Sequence, residues 1–181
     1  DLQVTVGVNM VAIADGKPVQ LGLKALIGHY IRHQKNVVTR RTRHELEQAE
    51  ARAHILEGLI VAVDNLDEVI RLIRGSKTPR EARDKLMQRF SLTEIQAQAI
   101  LDMRLQRLTN LEILTLRKEY AEIEKRIAYL KGILASEKKL MNVIKKELEE
   151  IGEKYADARR TKLVDSFDEI VIEEEAPVAD E

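Results

Sequence analysis

The sequence predicts a mainly α protein: a long antiparallel two-helix coiled-coil arm with a small helical globule at its tip, plus a short N-terminal β-hairpin from a neighbouring domain. Three observations predict it. Ala, Glu, Lys, Leu and Arg make up half of the 181 residues, a composition that marks long helices when a 3.5–3.6-residue apolar period accompanies it. Eight Gly and three Pro leave few tight turns. Two long periodic stretches of matching length flank a compact middle, which suggests one arm out, a tip, and one arm back.

The hairpin comes first. Val4, Val6, Val8 and Met10 share a parity, Val11-Ala12-Ile13 extends the apolar run, and Val19 and Leu21 begin the return. Asp15-Gly16 between them is a pair suited to a tight turn, because Gly takes φ > 0 freely. A lone hairpin is marginal in water, so these strands should complete a larger sheet. The chain also opens as though mid-strand and without an initiator Met, which reads as part of a longer chain.

Helical periodicity then runs from about Leu23 to Val63, through Ile27, Ile31, Val38, Leu46, Ala53, Leu56 and Ile60, with no Pro to interrupt it. Such a helix reaches roughly 60 Å, a length typical of coiled coils. Asp64-Asn65 marks a break, and the pattern resumes to a stop at Gly75-Ser76. Thr78-Pro79 reads as N-cap and first residue of a helix to Phe90. Ser91-Leu92-Thr93 turns the chain, and Thr93 with Gln96 forms a capping-box pattern. That box opens a helix expected to run from Glu94 to Leu108. Ile95, Ala99, Ile100 and Met103 fall on one arc of it, and Ala97, Leu101, Leu105 and Leu108 on another. A helix apolar on two sides must be covered on two sides. Asn110 can start the return arm to Leu134, Ala135-Ser136 is a joint, and Ser136 caps a continuation to Tyr155.

Charge is uneven. Asp165 to Glu181 holds eight acids and no Lys or Arg, so a basic body carries an acidic tail. That split suits a polyanion partner, and equally two ordinary solvated faces. Aromatics at 3% and the absence of Trp exclude a base-stacking platform. The absence of Cys excludes a disulfide framework and thiolate chemistry. No run of 18 apolar residues is present to span a membrane.

Catalysis has little to stand on. His29 and His33 stand at i, i+4, but no HExxH surrounds them and no third ligand is evident, so solvated or packed histidines are expected there and at His44 and His54. No nucleophile elbow or phosphate loop occurs. Tyr30, Tyr120, Tyr129 and Tyr155 sit at helical spacings, where packing is their ordinary role. Arg40, Arg41 and Arg43 interrupt the apolar seam of the first arm. They can contact DNA phosphate or pair with return-arm acids such as Glu147, Glu149, Glu150 and Glu153, and pairing across the arm is the preferred expectation.

At these residues a resemblance enters. His33-Gln34-Lys35-Asn36-Val37-Val38-Thr39-Arg40-Arg41-Thr42-Arg43, Arg52-Ala53-His54-Ile55-Leu56-Glu57-Gly58, the run from Gln96 to Thr109, and Arg159-Arg160-Thr161 resemble the DNA gyrase A-subunit family, with the A subunit of topoisomerase IV as close relative. The match covers residues 5 to 163. It implies the C-terminal part of a breakage-reunion core: residues 1–21 as the edge of the tower domain, 22–65 the outgoing arm, 66–110 a helical C-gate globule, 111–160 the returning arm, and 161–181 an acidic linker. Ala97, Ile100, Leu101, Met103, Arg104, Leu105 and Leu108 would then form the dimer interface at the gate, with the face that meets the partner left open.

The resemblance further implies an ATP-dependent type II topoisomerase as parent. That enzyme passes one duplex through a break in another, as an A2B2 complex with the gyrase B subunit, in the bacterial cytoplasm at the nucleoid. Mg2+ and ATP enter through the B subunit, so no cofactor, metal or catalytic residue is expected in this stretch. The nucleophilic Tyr in its Arg-Tyr-Thr context is not matched by any of the four tyrosines, so the stretch alone should be inactive. Topoisomerase IV, or a structural coiled-coil dimerisation module without an enzymatic parent, are the alternatives.

Overall fold

The computed structural model describes residues 4–104 and 110–161. Within them lie a hairpin of β1 (Val11–Ala14) and β2 (Lys17–Gln20), then α1 (Leu23–Asp64), α2 (Leu66–Arg74), α3 (Pro79–Phe90), α4 (Glu94–Leu101), α5 (Asn110–Leu134) and α6 (Glu137–Tyr155). The mainly helical class with an N-terminal hairpin is as expected. By its contacts the chain forms two compact units, Asp1–Lys146 and Glu147–Glu181. Of the second, the described residues comprise the last turns of α6 and an irregular segment to 161. The hairpin, the paired arms and the tip all lie in the first.

The hairpin pairs Ala14 with Lys17 and Val11 with Gln20. Asp15 at φ 51° and Gly16 at φ 78° supply the two positive-φ residues that a two-residue hairpin turn needs. Leu21 N–H extends the ladder to the Met10 carbonyl at 2.9 Å. The alternation at Val4, Val6 and Val8 promised strand from the start, but these residues are about 80% exposed and not in a strand. A strand requires a partner, and β1 is paired only where β2 lies opposite.

α1 is a single helix of 42 residues, about 63 Å long. It packs against α5. On α1 the buried Thr42, Ala49 and Leu56 recur every seven residues, and on α5 the same step joins buried Leu116 and Leu130 through half-buried Ile123. That step fits a coiled-coil seam. Its direction shows in the ion pairs: Lys35 with Glu137, Glu45 with Arg126 at 3.0 Å, Arg52 with Glu119 at 2.7 Å, and Asp64 with Arg117. As one number rises the other falls, so the arms are antiparallel. Such exposed pairs contribute about 0.2–1 kcal/mol each, and their larger effect is on register.

Asn65 ends one helix and starts the next. Its side-chain amide donates to the Val61 carbonyl at 2.9 Å, and its own carbonyl accepts from Glu68 and Val69. Thr78 caps α3, with Pro79 at the first position and Glu81 N–H donating to Thr78 Oγ1 at 3.2 Å. Ser91, left-handed at φ 54°, then turns the chain. Leu56, Leu59 and Ala62 of α1 meet Val69, Leu86, Leu92, Ala97, Ile100 and Leu116 in one core at the tip.

One boundary is corrected. The helix expected to run to Leu108 stops at Leu101, with Asp102 as its C-cap. Asp has low helix propensity, and a carboxylate is disfavoured at a helix C-terminus by the macrodipole. Leu105 and Leu108 lie outside the described residues.

Candidate functional site

The tip is organised by α4, and α4 is held to α1 by a polar cluster. Thr93 and Gln96 make the reciprocal capping box: Thr93 N–H donates to Gln96 Oε1 at 3.0 Å, and Gln96 N–H to Thr93 Oγ1 at 3.4 Å. The other end of the Gln96 amide donates to the His54 carbonyl at 2.8 Å. His54 Nε2 lies at 2.7 Å from Thr93 Oγ1. Gln96 is buried, so each of these bonds replaces one to water that folding removed. Gly58 makes the approach possible, since a Cβ there would sit 2.7 Å from Gln96 Cβ. Sequence reasoning left His54 as a solvated or packed residue. The available signal was Gly58, a costly residue inside a helix that often marks close approach.

The candidate gate residues separate into three groups. Ala97 and Ile100, at 0% and 3% exposed, belong to this chain's own core. Leu101 and Met103 are half-buried at its margin, and Arg104 is exposed. Leu105 and Leu108 are not described. The outward side of α4 carries Ile95, 64% exposed, a residue placed on one of the two arcs but not among the gate candidates. Beside α4 is an open depression of about 650 Å³, rimmed by Arg52, Asp102, Arg104 and Glu112. A rim holding both signs of charge suits contact with a second copy of itself, since a two-fold interface must be self-complementary.

The three arginines of α1 also separate. Arg40 and Arg43 are exposed on the outer side of the helix. Arg41, about 100° round from Arg40, is exposed but engaged by a partner. His29 and His33 border an open depression between the hairpin and α1. Among the described residues no three His, Asp or Glu side chains gather as a metal site would require. Tyr120 is half-buried against the core, and burial, reinforced by the Glu124 carboxylate, pushes its phenol up, so it stays protonated. No helix among the described residues is long and apolar enough to cross a membrane.

The sequence has clear counterparts among known proteins. Residues 1–149 match the family model for the A subunit of DNA gyrase/topoisomerase IV. The chain is 53% identical over 173 residues to the DNA gyrase A subunit of Clostridium acetobutylicum, covering 96% of this chain and 21% of that protein. It is 54% identical over 167 residues to the DNA gyrase A subunit of Halalkalibacterium halodurans, covering 92% and 20%. With the Deinococcus deserti protein of the same name it shares 50% over 179 residues, 99% and 22%. The chain thus spans about a fifth of the length of the curated relatives it matches.

Proposed function

The chain belongs to the family of DNA gyrase and topoisomerase IV A subunits, and on that premise we propose that it is the coiled-coil arm and dimerising C-gate of such a subunit. The parent is a bacterial type II topoisomerase, gyrase in preference to topoisomerase IV because relatives at 50–54% identity carry the gyrase name. It passes one duplex through a transient break in another, within an A2B2 complex whose B subunit hydrolyses ATP, in the bacterial cytoplasm. This stretch supplies the hinged exit and none of the bond-breaking. Among the described residues no three acidic or histidine side chains converge as a metal site would need. No metal-dependent step is therefore assigned to it.

One observation carries the gate assignment. α4 buries Gln96, Ala97 and Ile100 inward and exposes Glu94, Ile95 and Gln98, so Ile95 stands open with half-buried Ala99 beside it, while half-buried Leu101 borders the core, at the end of a 42-residue helix. A large apolar side chain held open among polar neighbours at an extremity suits an interface. A generic coiled-coil dimer would pair along the arms and would not need it.

The test is a pair of neighbouring substitutions read by light scattering and circular dichroism. Leu101→Glu should convert dimer to monomer with helicity intact, because an unpaired carboxylate buried at an interface costs several kcal/mol and acts twice across a two-fold. Ile100→Glu should instead lose helical signal, since its side chain lies inside the chain's own core. Wild-type chain that is monomeric at micromolar concentration would remove the gate assignment.

A further inference from the structure

The base half of α1 carries a charge pattern that the gate does not use. From Gly16 to His44 there is no Asp or Glu, while seven Lys or Arg and three His occur. Arg32, Asn36, Arg40 and Arg43 follow one another at steps of four, four and three, so they form one line along the helix. All four are exposed. The buried Val38, Thr42 and Ala49 lie well round the helix from it, so the line faces away from the packed seam. Among the described residues Arg32, Arg40 and Arg43 form no ion pair, whereas Lys35, Glu45, Glu50 and Arg52 of the same helix each do.

We infer that this outward line is a track for the phosphate backbone of duplex DNA. A merely solvated face alternates its charges, because like charges three or four residues apart on a helix repel. Here Arg40 and Arg43 stand three apart with like charge and form no ion pair among the described residues; Glu47, four residues beyond Arg43, closes the line, and a polyanion would neutralise the rest. The guanidinium fork suits phosphate oxygens in pairs. From Arg32 to Arg43 the track is about 17 Å long, against which a duplex presents about ten phosphates at one per ~1.7 Å. No aromatic side chain lies on the line, so single strands, which need stacking surfaces, are not its partner. The contact proposed is to the backbone, the kind that positions a duplex without reading its sequence. The inference rests on the topoisomerase reading for where such a duplex comes from: a segment passing between the arms' bases and the gate.

The test uses the intact 181-residue chain and a short fluorescent duplex of mixed sequence, with anisotropy measured across a salt series. Arg32→Gln, Arg40→Gln and Arg43→Gln combined should weaken binding by roughly tenfold or more at low salt. They should also flatten the plot of log affinity against log salt by about 2–3, at about 0.9 for each phosphate no longer neutralised. A control removes the same charge from paired residues: Arg117→Gln, Arg126→Gln and Lys131→Gln should leave that slope within about 1 of the wild-type value. Duplex affinity unchanged by the first set, weakened equally in both sets, absent in wild type at low salt, or below that for a single strand of equal length would each overturn the track. Oligomeric mass, taken on the same samples, separates the two proposals. A monomer whose duplex binding depends on the track sinks the gate alone, and a dimer whose binding ignores the track sinks the track alone.

Discussion

The two halves of α1 share one helix and one seven-residue period, yet they stand in opposite relations to the rest of the chain. Toward the tip, Leu56, Gly58, Leu59 and Ala62 are buried and a satisfied polar cluster locks α4 onto them. Toward the base, nothing before Val38 is buried, Leu23, Ile27 and Tyr30 are 47–63% exposed, and a single-sign charge line faces solvent. The tip half finds its partners within the described chain. The base half leaves the apolar Leu23, Ile27 and Tyr30 and the cations Arg32, Arg40 and Arg43 exposed among the described residues. Helical periodicity is blind to that difference, because it reports that a face is apolar and not what covers it.

Two glycines of α1 give the largest test of the contrast. A Cβ at Gly58 would meet Gln96 Cβ at 2.7 Å, while at Gly28 it meets nothing within 4 Å. Gly58→Ala should destabilise by up to about 2 kcal/mol, an overpacking cost of about 1–3 less about 1 of helix propensity gained. Gly28→Ala should stabilise by about 0.5–1 kcal/mol, with propensity alone acting. Urea denaturation of both variants checks the signs. If both stabilise, α4 is not held against α1 as described.

How much was visible in the sequence follows from the same contrast. Helix starts carrying their own chemistry were readable to the residue, Thr78-Pro79 before α3, the Thr93–Gln96 box before α4 and Ser136 before α6, while the break between α1 and α2 was placed to within a residue, at Asp64-Asn65. Features set by distant partners were not. Val4, Val6 and Val8 alternate like a strand but lie outside the ladder, which ends at the bond from Leu21 N–H to the Met10 carbonyl, and Ala97 sat with Leu101 on an arc offered to a second copy although it faces Leu86 and Leu92 in the same core. His54 showed no signal of its own, since its partners are Thr93 and Gln96, about forty residues away.

The smallest expected effect is electrostatic. Glu137, at the joint, is held below its ordinary carboxylate value of 4.5 by the hydrogen bond from Lys35 and its charge. Glu81, in the tip, is held below it by the hydrogen bonds from Lys85 and the Lys77 amide. A depressed folded-state pKa stabilises above the unfolded value, and that contribution is lost as pH falls through the folded value. Glu137→Gln and Glu81→Gln should therefore each lower Tm slightly at neutral pH, with the gap to wild type closing below pH 4.5. A gap that widens on acidification would mean that neither ion pair forms.

The most direct test of the central claim is a distance between copies. The chain has no Cys, so a single introduced one takes a spin label uniquely. Gln98→Cys places it on the exposed side of α4 at the tip, and Lys138→Cys places it at the start of α6, past the joint. If the tip is the gate, pulsed dipolar spectroscopy of the Gln98→Cys dimer gives one sharp distance of about 20–35 Å, two to three helix diameters. The Lys138→Cys labels then lie farther apart. Lys138→Cys labels as close together as those at the tip, the signature of pairing along the arms, would contradict the account.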